Sequence, residues 1–198
     1  MAARMDPIAL VADRFDESAR LKQACAVVLA PAIARAGAHL AHVLRGGGKL
    51  LVCGNGGSAA DAQHFSGELL GRFECERAGL AAIALHADTS TLTAVANDYG
   101  YDDVFARQVQ ALARPGDALV VISTSGNSPG IVRAAEAAQA LGLSVLALTG
   151  RDGGRLAGLL GDGDLELRVP ASATPRIQEV HILILHCLCE LIDRELTP

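Results

Sequence analysis

Residues 119–132 read LVVISTSGNSPGIV: four apolar residues give way at once to Ser123, Thr124, Ser125, Gly126, Asn127 and Ser128, and then to Pro129. An unbroken apolar run suits a strand buried on both faces, because a strand with one wet face would alternate. Proline just beyond the loop suits the first turn of a helix, where its missing N–H costs nothing. The stretch therefore reads as strand, small-residue loop and helix, half of a parallel β-α-β unit. Working outward, the same order recurs. KLLVC (49–53) precedes a helix over about 58–72, and AAIAL (81–85) precedes helical patterns over about 89–113. ALVVI (118–122) precedes a helix over 129–141 ended by Gly142; SVLALT (144–149) precedes a short helix near 154–160, and LELRV (165–169) a last helix over about 175–195. Two helices, 7–29 and 32–45, are expected before the sheet, divided near Pro31 and stopped by Gly46, Gly47 and Gly48. The fold class that follows is α/β: a doubly wound, mainly parallel five-stranded sheet flanked by helices, with N-terminal helices. No repeat, linker or low-complexity tract interrupts it, so a single domain over 1–198 is expected, with 1–45 as N-terminal helices and 46–198 as the α/β core.

Composition narrows the function. Of 198 residues, 51% are hydrophobic and 20% charged, which excludes a disordered chain. Aromatic residues make up 3% and tryptophan is absent, so the core is built from Ala, Leu, Val and Ile and offers no platform for stacking bases. A formal charge of -5 argues against nucleic acid or an anionic membrane as partner. Five cysteines (Cys25, Cys53, Cys75, Cys187, Cys189) form no CxxC pair and are odd in number, which suits reduced thiols in a cytoplasmic protein. Acidic residues Asp6, Asp13, Asp16 and Glu17 near the N-terminus, and the lack of an uncharged apolar run of 18, predict neither a signal peptide nor a membrane span.

In an open α/β sheet, ligands bind beyond the C-terminal ends of the strands, where helix N-termini aim unpaired N–H groups outward. Two loops fall there: GNGGSAAD (54–61) and STSGNSPG (123–130). Their glycines admit a ligand close to the backbone, and their hydroxyls donate to phosphate oxygens. The plainer alternative makes them ordinary turns with Ser58 and Ser128 as helix caps. Neither loop matches GxGxxG or GxxxxGK[ST], so a single phosphate on a small molecule fits better than a dinucleotide or nucleoside triphosphate. On the helix after the first loop His64 and Glu68 are four residues apart and share a face. On the last helix Gln178 and His186 lie eight apart, about 80° around the axis, while His181 is about 140° from His186. A lone histidine on an apolar helix is more often a hydrogen-bonded core or interface residue, and spacing alone leaves both readings open.

Four motifs in order, CGNGGSAADAQHFSGEL (53–69), TAVANDYGYDDVFARQV (93–109), STSGNSPGIVRAAEAA (123–138) and TPRIQEVHILILHCLCELID (174–193), resemble the sugar-isomerase (SIS) domain family, and within it the phosphoheptose isomerase group, over about residues 10–195. The resemblance implies aldose-ketose isomerisation of sedoheptulose 7-phosphate to D-glycero-D-manno-heptose 7-phosphate through an enediol, in heptose biosynthesis for lipopolysaccharide core or other surface glycans. It implies Glu68 and His186 as the acid/base pair, and one zinc per subunit held by His64, Glu68, Gln178 and His186. Asn55, Gly56, Gly57, Ser58, Ser123, Thr124, Ser125 and Ser128 would hold the phosphate and adjoining hydroxyls, with Asn97 and Asp98 on further hydroxyls and His64, Glu68 and Gln178 also lining the substrate. Asn97 and Asp98 equally suit a plain helix stop before Gly100, Asp61 a capping or dipole-complementing role in its helix, and Arg72 and Arg176 structural roles. A cytoplasmic homotetramer is the family expectation, with the apolar N-terminal helices, such as AIARAGAHLAHVL (32–44), packing between subunits. Two alternatives keep the fold. One is a non-catalytic relative that binds a partner, of the DnaA initiator-associating type, or senses a sugar phosphate; the acidic and imidazole groups at 68 and 186 weigh against it. The other is a glucosamine-phosphate deaminase or synthase-type isomerase half, for which 198 residues leave no second domain.

Overall fold

Apolar runs become strands wherever helices cover both their faces. In the computed structural model, which describes residues 6–197, they are β1 (Leu50–Gly54), β2 (Ala82–Ala84), β3 (Ala118–Ser123), β4 (Ser144–Gly150) and β5 (Leu165–Val169). The end residues 1–5 and 198 of the single domain expected over 1–198 lie outside the described residues. All neighbouring strands are parallel, in the order β2-β1-β3-β4-β5. Between the strands run α2 (Gly57–Leu70), α3 (Thr89–Tyr99), a 3-10 turn (Tyr101–Asp103), α4 (Val104–Leu112), α5 (Pro129–Ala140) and α6 (Gly154–Leu159). α1 (Pro7–Arg45) precedes the sheet and α7 (Thr174–Leu196) follows it. Alternate strand residues face opposite layers. Leu50, Val52, Val120 and Ile122 pack under α1, α2 and α7, whereas Leu51, Cys53, Leu119 and Val121 pack against α4, α5 and α6. Both faces are thus dry, which is why these strands show no polar alternation.

The N-terminal region departs from expectation: residues 7–45 form one continuous helix of 39 residues with Pro31 inside it, not two helices. Proline removes one hydrogen bond to the carbonyl four residues earlier, here Val27. Val27 and Pro31 both lie on the exposed side, so water can satisfy that carbonyl and the ring meets no packed neighbour. The opposite stripe, Cys25, Leu29, Ala36, Leu40 and Leu44, is buried and holds the helix to α7 and the sheet across the break. By length and composition α1 alone among the described helices is apolar enough to cross a membrane, with an 18-residue window of mean hydropathy 1.5. Here its buried stripe serves the core instead.

The order 2-1-3-4-5 places the topological switch between β1 and β3: the chain leaves β1 toward β2 on one side and builds β4 and β5 outward from β3 on the other. A crevice opens at such a point, outside the carboxyl ends of the two strands. The loops after β1 and β3 are the two Gly- and Ser-rich stretches.

Candidate active site

The two loops stand side by side because β1 and β3 pair in register from Leu50 with Ala118 to Gly54 with Ile122. Gly56, in left-handed conformation with φ 57°, turns the first loop into α2, and no side chain caps that helix. Ser128 opens α5, again without a side-chain cap; its hydroxyl lies 3.4 Å from that of Ser123. Neither Ser58 nor Ser128 therefore acts as the plain cap that the sequence also allowed; the amides of Ser58, Ala59 and Ile131 already donate to the Asn55, Gly56 and Ser128 carbonyls, which leaves the loop hydroxyls as the donors a ligand would meet. A phosphate accepts from such hydroxyls. The second loop is braced from behind. The Asn127 side chain donates to the Ser125 carbonyl at 3.0 Å and accepts from the Arg155 amide at 3.0 Å. Gly126 has φ 63°, and a Cβ there would overlap the Gly153 carbonyl. Asn55 in the first loop accepts from the Tyr101 hydroxyl at 3.0 Å. Tyr101 and Asn127 are site residues that spacing did not single out.

α2 and α7 carry the remaining groups and lie parallel, their levels matched one to one. Nearest the loops, the Gln178 amide sits against Gly57 so closely that a Cβ on Gly57 would lie 2.5 Å from Nε2. Seven residues further along α2, His64 Nε2 is 3.2 Å from Glu68 Oε1 and 2.9 Å from His186 Nε2. The i,i+4 pairing is thus realised, and His186 joins it. The Phe73 ring stacks on His186 at 5.7 Å between centroids and an interplanar angle of 27°. Phe73 lies beyond the end of α2, where no periodicity marks it. Seven residues of helix rise about 10 Å, so Gln178 meets α2 roughly two turns before His64, beside the first loop.

His64 Nε2 and the two acceptor-capable atoms beside it need one proton to hold them together: an N–H on His64 can point at Glu68 and at the lone pair of His186. A divalent cation would substitute for that proton. Two imidazole nitrogens and a carboxylate are donor types that zinc accepts, and the two separations approach the roughly 3.3 Å between ligands of a tetrahedral zinc. Glu68 and His186 each contact His64 and not one another, and among the described residues no trio of His, Cys, Asp and Glu is closed into a metal cluster. Gln178 meets α2 at Gly57, about two turns before this centre.

Around this centre the other polar groups divide. Asp61 does not cap α2: one of its oxygens is buried with no partner, and burial pushes its carboxyl up while His64 pulls it the other way. His181 is fully buried and donates from Nε2 to the Thr149 carbonyl at 2.8 Å, and burial pushes its pKa down to about 4. It ties α7 to the C-terminal end of β4 and stays out of the cleft. Asn97 and Asp98 close α3 and hydrogen-bond each other at 2.8 Å; among the described residues no hydrogen bond joins them to either loop. Arg72 pairs with Glu76, and Arg176 with Glu179 and Glu17.

Comparison with known proteins gives a consistent result. The SIS domain profile matches residues 15–150. A phosphoheptose isomerase of Shewanella sp. (strain W3-18-1) is 56% identical over 188 residues, 95% of each chain. Among solved structures, the phosphoheptose isomerase of Neisseria gonorrhoeae aligns with a TM-score of 0.91 at 50% identity, over 96% of this chain and 100% of its own. That of Francisella tularensis aligns with a TM-score of 0.93 at 47% identity over the same shares.

Proposed function

Because the chain belongs to the SIS domain family, and within it to the phosphoheptose isomerases, we infer that the cleft at the ends of β1 and β3 isomerises a ketose phosphate. The protein is an aldose-ketose isomerase acting on sedoheptulose 7-phosphate. One observation supports the residue assignment above all. The contact of His64 with Glu68 and His186 lies about 10 Å along α2 from the loops that would hold the phosphate. A seven-carbon chain phosphorylated at one end spans nearly that distance from C2 to phosphorus, five C–C bonds of about 1.5 Å followed by the ester linkage. With the phosphate on Ser58, Ser123, Thr124, Ser125 and Ser128, C1 and C2 arrive at Glu68.

There the Glu68 carboxylate removes a proton from C1, next to the C2 carbonyl, exchanges it with solvent in the open site, and delivers a proton to C2 after the enediol has formed. His186 supplies a proton to O2 and takes one from O1, so the exchange balances and D-glycero-D-manno-heptose 7-phosphate leaves. His64, in contact with both groups, holds them in their relative positions. Zinc is the proposed metal, held by His64, Glu68 and His186; when bound it polarises the substrate oxygens and offsets the enediolate charge. Gln178, with Asn55, Gly56 and Gly57, would bind near the phosphate end, and Asn97 and Asp98 are assigned the sugar hydroxyls.

We propose also a homotetramer in the cytoplasm that supplies heptose for lipopolysaccharide or another surface glycan. What supports the assembly is surface chemistry. Val27 is 81% and Val28 65% exposed on α1, Leu183 is 42% exposed on α7, and a groove lined by Cys25, Leu29, Ile33, Val180 and Leu191 lies between these helices. The His64 side chain is itself 42% exposed, an open setting for an enediol that a neighbouring copy would enclose. The partner-binding alternative leaves the three-group contact without a role. Incubating the protein with sedoheptulose 7-phosphate in deuterated water tests the whole reading. The aldose should appear with deuterium at C2, and Glu68→Gln and His186→Ala should each cut turnover by about 10²–10⁴-fold. Folded variants that keep near-parental turnover would remove both residues from the chemistry.

A further inference from the structure

Beyond the end of α2 the chain carries Arg77, whose side chain is only 5% exposed. Its Nε donates to Asp193 Oδ1 at 2.6 Å, Nη1 to the Leu69 carbonyl at 2.9 Å and Nη2 to the Glu68 carbonyl at 3.0 Å. Nη1 also lies 3.2 Å from the Ala78 carbonyl and 3.4 Å from that of Gly71. The other Asp193 oxygen accepts from Cys75 Sγ at 3.3 Å. Two features set this apart from an ordinary buried ion pair. Helices leave their last carbonyls unpaired, and the Glu68 carbonyl finds its partner in this guanidinium. Asp193, for its part, lies seven residues from His186, within about 20° of the same face of α7 and two turns along it. One planar fork therefore grips the backbone of Glu68 on one helix and, through Asp193, the face that presents His186 on the other.

We propose that Arg77 and Asp193 are positioning residues for the isomerisation, setting the register of α2 against α7 on which the contact of His64 with Glu68 and His186 depends. The proposal rests on the assignment of the chemistry to Glu68 and His186. The pair lies beyond the histidine level, on the side away from the phosphate loops, so loosening it should disturb proton transfer and leave phosphate binding in place. Lysine at position 77 keeps the charge but lacks the fork, and reaches either Asp193 or a carbonyl.

With sedoheptulose 7-phosphate, at a temperature well below the melting transition of every variant, Arg77→Lys should lower kcat by at least tenfold with KM within threefold of the parent. Asp193→Asn, which keeps the shape and loses the charge, should lower kcat in the same sense, and the double variant should be no worse than Arg77→Lys alone. A purely structural pair would lower the melting temperature and leave kcat unmoved. Folded variants with kcat within twofold of the parent overturn the proposal. So does failure of both single variants to fold, which would make the pair a folding determinant. Glu68→Gln run in parallel separates the two readings: if it is inactive while Arg77→Lys is not, positioning alone fails; if it is active, the chemistry was misassigned.

Discussion

Lowering the pH should weaken this protein through one buried side chain, and the size of the effect follows from its surroundings. His181 is fully buried, donates one hydrogen bond to the Thr149 carbonyl, and has no partner for Nδ1. A proton added at Nδ1 would place a charge in the core with nothing to solvate it, so the folded pKa falls from 6.5 to about 4. In the unfolded chain the imidazole titrates normally. Above about pH 6.5 neither state binds the proton and stability is complete. Below that the unfolded state takes it up first, so stability declines as pH falls toward 4. At 1.36 kcal/mol per unit the loss approaches about 2 kcal/mol at pH 5 and about 3 kcal/mol near pH 4.

His39 and His86, whose pKa values burial also lowers, and Asp117, held low by Lys49, slope the same way, so the parent curve alone is not diagnostic. The difference between parent and His181→Gln is, because the glutamine amide can still donate to Thr149 but cannot titrate. Denaturant midpoints at fixed protein concentration, from pH 7.5 to 5, should show the glutamine variant less stable at pH 7.5 and the gap closing by about 2 kcal/mol at pH 5. Parallel curves would refute the reasoning: His181 would then titrate as if exposed, and its tie between α7 and β4 would not be the dry contact described.

Two further outcomes follow from the loops. Gly126→Ala forces a side chain onto a left-handed residue and into the Gly153 carbonyl, which should cost about 1–3 kcal/mol and raise KM at least tenfold, read from thermal unfolding and substrate titration. Tyr101→Phe removes the hydrogen bond to Asn55 at an exposed site; KM should rise several-fold while the melting temperature moves by less than about 2 °C.

Much of the architecture was legible because its causes are local. Strands covered on both faces need continuous apolar residues, and LLVCG and ALVVIS, both wholly buried, supply them. Loops at their carboxyl ends need small residues, and i,i+4 spacing on a helix is enough to bring His64 to Glu68. Pro31 misled for an equally physical reason: whether proline ends a helix depends on what the freed carbonyl and the ring encounter, here solvent on the far side of a packed stripe. Tyr101, Asn127 and Arg77 were invisible because each acts on a backbone or side chain that only the folded chain brings close, with no periodicity or motif to mark it.

Gln178 shows where an angular argument needs a second coordinate. Eight residues turn a helix by about 80° net, so projection down the axis places Gln178 and His186 toward one cleft, yet the same eight residues advance about 12 Å. Two side chains can share a direction and still serve different ends of a ligand. Which neighbours each meets depends on the helix opposite: the amide lies against Gly57 beside the first loop, and the imidazole meets His64 about two turns further on. That separation is the length that the proposed substrate, an extended sugar phosphate, would span from its phosphate to its reacting carbons.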